Sequence, residues 1–146
     1  MRALDQVILA LTIWRENRSG GQLGMHSVAS VILNRAAQRK TSVYYECVRP
    51  WQFSSLTAHG DPELAIWPEE KDAFWLAAQE VAVQAATGVL ADITHGATMY
   101  YAPAGKQWKK RFALPGGKQV AFPDDWNEQS MAFTGLIAEQ LFFKAR

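Results

Sequence analysis

Apolar residues at Leu4, Val7, Ile8, Leu11 and Trp14 return every three or four positions, the spacing of one face of an α-helix. The polar run Asn17-Arg18-Ser19-Gly20-Gly21 breaks this first helix. A second helix is predicted from about Gly24 to Gln38, with apolar residues at Val28, Ala29, Val31, Ile32, Leu33 and Ala36. A helix that is apolar nearly all round is usually the buried, central one. Thr41 or Ser42 can cap a short third helix that runs to Val48 and is stopped by Pro50.

Trp51 to Trp67 holds Gly60 and Pro62 and reads as an irregular connection, a kind of segment that is uncommon at this length and often functional. Pro68 and the acidic pair Glu69-Glu70 predict the start of a long helix with Phe74, Ala78, Val81 and Ala85 on one face and Gly88 at its end. Ala97 to Tyr101 reads as a short strand ended by Pro103, and Pro115-Gly116-Gly117 as the turn of a small hairpin. From Ser130 to Phe143 the spacing of Phe133, Leu136, Ile137 and Leu141 predicts a closing helix. The pattern therefore predicts one mainly α (α+β) domain over residues 1–146, with a small β-element after the long helix.

Composition narrows the class. A chain of 146 residues can bury a core without disulfides or metals, and 49% hydrophobic with 20% charged residues is ordinary for a globular domain. A net charge of +1 gives no electrostatic case for a nucleic-acid partner. Six tryptophans are many for this length, and aromatic rings serve both cores and sugar-binding clefts. Cys47 is the only cysteine and reads as a small buried hydrophobe. Arg2 followed by Val7–Ile13 resembles a signal peptide superficially, but Asp5 interrupts it and no small-residue cleavage site follows. No stretch is long enough to span a bilayer. The expectation is a monomer made in the cytoplasm without a signal peptide and without stable membrane insertion.

Candidate chemistry is sparse. His26, His59 and His95 lack metal-ligand spacing, and Ser19-Gly20-Gly21 lacks the lysine and preceding strand of a phosphate loop, so no metal or cofactor is expected. Glu69, Glu70 and Asp72 read as helix N-terminal charges, and Glu80 as a solvated face. Glu16 differs. It lies at the C-terminal end of a helix, where negative charge is disfavoured, and partial burial there raises a carboxyl pKa, as a general acid requires. A solvated helix-end carboxylate fits the same pattern. Trp51-Gln52-Phe53-Ser54 combines aromatics with an amide, as sugar-binding loops or packed loops do. Asp92 to Pro103 crowds hydroxyls and aromatics together. Lys106, Lys109, Lys110, Arg111 and Lys118 surround Trp108 and Phe112, which fits an anionic polymer or a solvated loop.

In order and spacing, these segments resemble the SleB-type cell wall hydrolase family, which includes spore-cortex-lytic enzymes and phage endolysins. The resemblance rests on Glu16-Asn17-Arg18-Ser19-Gly20, the apolar helix ending Leu33-Asn34-Arg35, Gln52-Phe53-Ser54, Asp92-Ile93-Thr94-His95-Gly96-Ala97, Tyr100-Tyr101-Ala102-Pro103 and the closing Ile137 to Phe143. It implies a lysozyme-like domain that acts on peptidoglycan glycan strands at the β-1,4 bond between N-acetylmuramic acid and N-acetylglucosamine. It also implies that Glu16 is the catalytic acid of a lytic transglycosylase.

On the same footing, Gln52, Phe53, Ser54, Thr94, Tyr100 and Tyr101 are expected to line the saccharide cleft, with Asp92 the candidate second carboxylate. Hydrolysis to water as a muramidase and a non-catalytic wall-binding or virion module are the alternatives. Release through a holin, as a phage endolysin, is the expected setting. The chain departs from the family pattern at Gly20, which stands where the pattern has a second glutamate. Gln140 stands in place of the closing histidine and Ala138 in place of its glycine, and Asn17, Ser19 and Ile93 also differ.

Overall fold

In the computed structural model, which describes residues 1–146, five α-helices precede five strands. The helices are α1 (Ala3–Asn17), α2 (Gly21–Arg39), α3 (Val43–Val48), α4 (Ser54–Thr57) and α5 (Ala73–Ala86). The strands are β1 (Met99–Tyr101), β2 (Arg111–Ala113), β3 (Gln119–Ala121), β4 (Met131–Ile137) and β5 (Gln140–Ala145). Asp5 ties the first helix down: its carboxylate accepts from Arg2 N at 3.0 Å and from Tyr44 N at 2.8 Å, joining the start of α1 to α3. Ser42 caps α3 by accepting from Tyr45 N at 3.1 Å.

The periodic face of α1 and the nearly all-apolar α2 meet in one core. Leu9, Ile13, Met25, Val28, Ile32, Val81 and Phe53 are 0–1% exposed there, and α5 packs on both helices through Ala78, Val81 and Ala82. Each such large side chain contributes about 1.5–3 kcal/mol by leaving water. Cys47 belongs to this core, and burial pushes its thiol up to about 12.

Two expected elements differ. The long helix starts at Ala73 rather than Pro68, because the Asp72 side chain accepts from Phe74 N at 2.8 Å and Trp75 N at 3.3 Å and so supplies the N-cap. Phe74 is exposed, and Ala78, Val81 and Ala82 form the buried face.

The larger difference lies at the C-terminus, where the predicted closing helix is a β-hairpin, β4–β5. Ala138 (φ 47°) and Glu139 (φ 64°) make a two-residue turn of the positive-φ kind that suits the twist of a hairpin. A bulge near Thr134 lets spacing that looks helical sit on a strand.

The strand order is β1-β5-β4, all antiparallel, with β2–β3 a separate hairpin turned by Gly116 and Gly117, both at strongly positive φ. Leu141, Phe142 and Phe143 are all buried because β5 is the central strand, covered on both faces. Phe142 turns toward Val31 of α2, while Phe143 joins Tyr101, Phe112, Phe122, Met131 and Leu141 in a second, aromatic core.

Candidate active site

Glu16 occupies the last turn of α1 and is half-buried. Ser55 Oγ donates to its Oε1 at 2.7 Å, and the Tyr100 hydroxyl lies 3.5 Å from its Oε2. Burial is the main cause of a raised Glu16 pKa. The two hydroxyls stabilise the carboxylate but do not overcome burial, and the nearby charges of Asp61 and Glu63 add to the upward shift. The carboxyl therefore keeps its proton to a higher pH than an ordinary glutamate.

The residues flanking Glu16 bring Ser55 to it. Arg15 Nη1 donates to Ser55 O at 3.1 Å, and its Nε and Nη2 donate to Ile66 O at 3.3 and 3.1 Å. Arg18 makes a bidentate pair with Glu63, at 2.8 and 3.0 Å, and stands 4.3 Å over the Trp14 ring. These two arginines clamp the Trp51–Trp67 connection against the end of α1, so that α4 presents Ser55 to the carboxyl. Sequence reasoning selected Ser54 and missed Ser55, Arg15 and Arg18; the one local signal was a pair of arginines around a helix-end glutamate.

Tyr100 reaches Glu16 from the opposite side. It pairs with Phe142 in the β1–β5 ladder and stacks on that ring at 5.7 Å. Burial, and next the Glu16 carboxylate, push its phenol far above the ordinary range, so it remains a donor. Arg35, at the end of the Leu33-Asn34-Arg35 segment, donates through Nε to Thr98 O at 2.7 Å and lies 5.6 Å from the centre of the Phe53 ring. It anchors the start of β1 beneath the site.

The other residues expected at the cleft divide. Gln52 is half-buried and Ser54 exposed, both on the segment that carries Ser55. Phe53, at 1% exposure, belongs to the helical core rather than to a surface that a sugar could touch. Tyr101 points away from Glu16, because neighbours in a strand face opposite ways, and its hydroxyl donates to Ala121 O at 2.8 Å inside the aromatic core. Thr94 is fully buried, with its hydroxyl on Asp92 Oδ1 at 2.7 Å.

Asp92, the candidate second carboxylate, is engaged in its own loop. It accepts from Thr94 N at 2.9 Å, Gly96 N at 2.7 Å and Asn34 Nδ2 at 3.1 Å. Burial opposes its ionisation, but these hydrogen bonds outweigh burial and hold its pKa below the ordinary value. The carboxylates that act on Glu16 are Asp61 and Glu63 instead.

Beside the site, Asn17 is buried against two glycines. A Cβ on Gly20 would come within 2.8 Å of Asn17 Oδ1, and one on Gly24 within 2.6 Å of Asn17 Nδ2. The space in which a side chain at position 20 would start is filled by Asn17.

Comparison with known proteins agrees with this architecture. A search of curated proteins returns no significant match. Among solved structures, the fold is similar to the catalytic domain of the germination-specific lytic transglycosylase SleB from Bacillus anthracis. The TM-score is 0.67 at 22% identity, covering 99% of this chain and 97% of that one. The profile of the cell wall hydrolase family matches residues 19–122, a segment that begins just after Glu16 and includes Ser55 and Tyr100. The chain belongs to the cell wall hydrolase family and is a peptidoglycan-cleaving enzyme.

Proposed function

We propose that the enzyme cleaves the β-1,4 bond between N-acetylmuramic acid and N-acetylglucosamine by lytic transglycosylation, with Glu16 as acid and then base. The observation that carries this reading is one half-buried carboxyl of raised pKa between two hydroxyl donors, with no second carboxylate bonded to it. Ser55 fixes Oε1, which leaves Oε2 to carry the acidic proton. Glu16 gives that proton to the glycosidic oxygen as the bond from the muramic C1 breaks. The muramic 6-hydroxyl then attacks C1, its proton returns to Glu16, and a 1,6-anhydro ring forms without consuming water. Gln52 and Ser54 are read as contacts to the sugar substituents, and the exposed edge of Tyr100 as a wall of the cleft.

Hydrolysis is the second reading, favoured by Asp61 and Glu63, which lie close enough to act on Glu16 and could orient a water. Mass spectrometry of the soluble fragments separates the two: anhydro-muramic ends support transglycosylation and reducing ends support hydrolysis. Glu16→Gln is expected to keep the fold and lose at least ~10²-fold in turnover, the scale of a general acid. Wall clearance by that variant at the parent rate would remove Glu16 from the mechanism.

The biological setting in this reading is a phage endolysin, acting as a monomer and reaching the wall through a holin. Its support is the likeness of the motif set to endolysins. No helix is long and apolar enough to cross a membrane. Expression in a bacterial host with and without a holin tests it: lysis that needs no holin contradicts the setting.

A further inference from the structure

Trp51 is 94% exposed and has a φ of 68°, a left-handed conformation that bulky side chains rarely adopt. It follows Pro50 in a turn closed by Gln52 N donating to Arg49 O at 3.2 Å, at the position where such a turn ordinarily carries glycine. Trp67, the other strongly exposed indole, has the Arg15 guanidinium 4.6 Å from its ring centre, whereas Trp51 has no aromatic or cationic partner. A strained backbone that holds a bare aromatic face in solvent is the kind of outlier that marks a functional position.

Beside this indole runs a groove of about 500 Å³ lined by Pro50, Trp51, Ser54, Thr57, Ala58 and His59. Its volume lies within the ~300–1,000 Å³ of small-molecule sites. The lining mixes a flat aromatic face with hydroxyls and an imidazole and holds no carboxylate, lysine or arginine. That chemistry fits an uncharged, hydroxyl-rich ring and offers an anionic polymer no lysine or arginine to pair with. Ser54, Thr57 and Ala58 recur at helical spacing in and after α4 and line the groove, while Ser55 of the same turn holds Glu16. Ser54 also lies near Asp61 and helps hold its pKa below the ordinary value, and Asp61 is one of the carboxylates that act on Glu16. The groove and the catalytic carboxyl are thus two sides of one helical turn.

We infer that this groove is a glycan subsite, in which the Trp51 indole stacks on an N-acetylhexosamine ring of the strand being cleaved. The inference rests on the proposed glycan cleavage at Glu16.

The test titrates Glu16→Gln protein, with and without Trp51→Gly, with a β-1,4-linked N-acetylglucosamine tetramer, and in parallel with a glycerol phosphate polymer. Adding Trp51→Gly should weaken tetramer binding by about five- to tenfold, on the scale of a lost aromatic contact. The same change should raise Tm, because glycine adopts this φ without strain. Phenylalanine at position 51 should restore most of the affinity. Equal tetramer affinity with and without Trp51, no tetramer binding by either protein, or a preference for the phosphate polymer each overturns the subsite. Activity retained by Glu16→Gln sinks the acid assignment instead, and the Trp51 difference in binding is read independently of it.

Discussion

Asn17 Nδ2 donates a 2.9 Å hydrogen bond to Gln140 Oε1, joining the end of α1 to the first residue of β5 across 123 positions of the chain. The same asparagine fills the space above Gly20 and Gly24. Positions 17, 20 and 140 are three of the places where the chain departs from its family pattern, and here Asn17 adjoins the other two. The departures are one linked rearrangement beside Glu16, in which an amide pair and a glycine occupy the ground that the pattern gives to a glutamate and a histidine.

That packing makes Gly24 immovable. Alanine inside a helix is ordinarily favoured over glycine by about 1 kcal/mol. Here a Cβ would meet Asn17 Nδ2 at 2.6 Å, so Gly24→Ala should destabilise by about 1–3 kcal/mol in urea unfolding. Asn17→Ala in the same chain should recover part of the loss. A Gly24→Ala protein at least as stable as the parent would contradict the packing.

With Glu16 as the proposed acid, Ser55 should set its pH range. Its hydrogen bond favours the ionised Glu16, so Ser55→Ala should raise the Glu16 pKa further. A general acid works only while protonated, so the alkaline limb of the pH–rate profile should move to higher pH in this variant. A limb that stays in place, or moves down, would show that another group governs it.

Glu16 also opposes the stability of its own fold at neutral pH. Its folded-state pKa lies above its unfolded value, mainly through burial. Stability from the protonated form is full below the unfolded value and is lost as pH rises through the folded one. Glu16→Gln should therefore be more stable than the parent at pH 7, with the gain vanishing as pH falls below the ordinary carboxyl range. Thermal melts at a series of pH values measure this, and a gain that grows toward acid pH has the wrong sign.

The adjacent tyrosines should separate function from stability. Tyr101→Phe removes the hydrogen bond to Ala121 O and should cost about 1 kcal/mol of stability while leaving turnover near parental. Tyr100→Phe removes the hydroxyl beside Glu16 Oε2 and should shift the pH–rate profile with little change in melting temperature. The reverse pattern in paired activity and unfolding assays would exchange the two roles.

The helical half of the fold is legible in the chain because its signals are local: the spacing of Leu4 to Trp14, the apolar Val28 to Leu33, the capping Ser42. The C-terminal hairpin is not. Phe133, Leu136, Ile137 and Leu141 fit a helix, and Ala138-Glu139 offers neither glycine nor asparagine to announce a turn with positive φ. A continuous run such as Leu141-Phe142-Phe143 suits a strand buried on both faces, yet only the neighbours of β5 decide that. At the site, Glu16 can be picked out by its helix end, whereas Ser55 and the arginine clamp depend on contacts 39 to 51 positions apart. Phe53, Thr94 and Tyr101 show why residue type alone misleads: aromatics and hydroxyls serve a core as readily as a cleft, and burial separates the two.

Strand β1 is three residues long, and its alternation sends Tyr100 to Glu16 and Tyr101 into the aromatic core. Its pairing with Phe142 and Leu141 fixes which tyrosine goes where. Because the side-chain period of a strand is two, a slip of one residue would swap the two phenols and leave Glu16 without its partner. The short link from Asp92 to Met99, held to α2 by Asn34 on Asp92 and Ala97 O and by Arg35 on Thr98 O, sets where this strand begins. In that stretch, a single inserted or deleted residue would act as an active-site mutation.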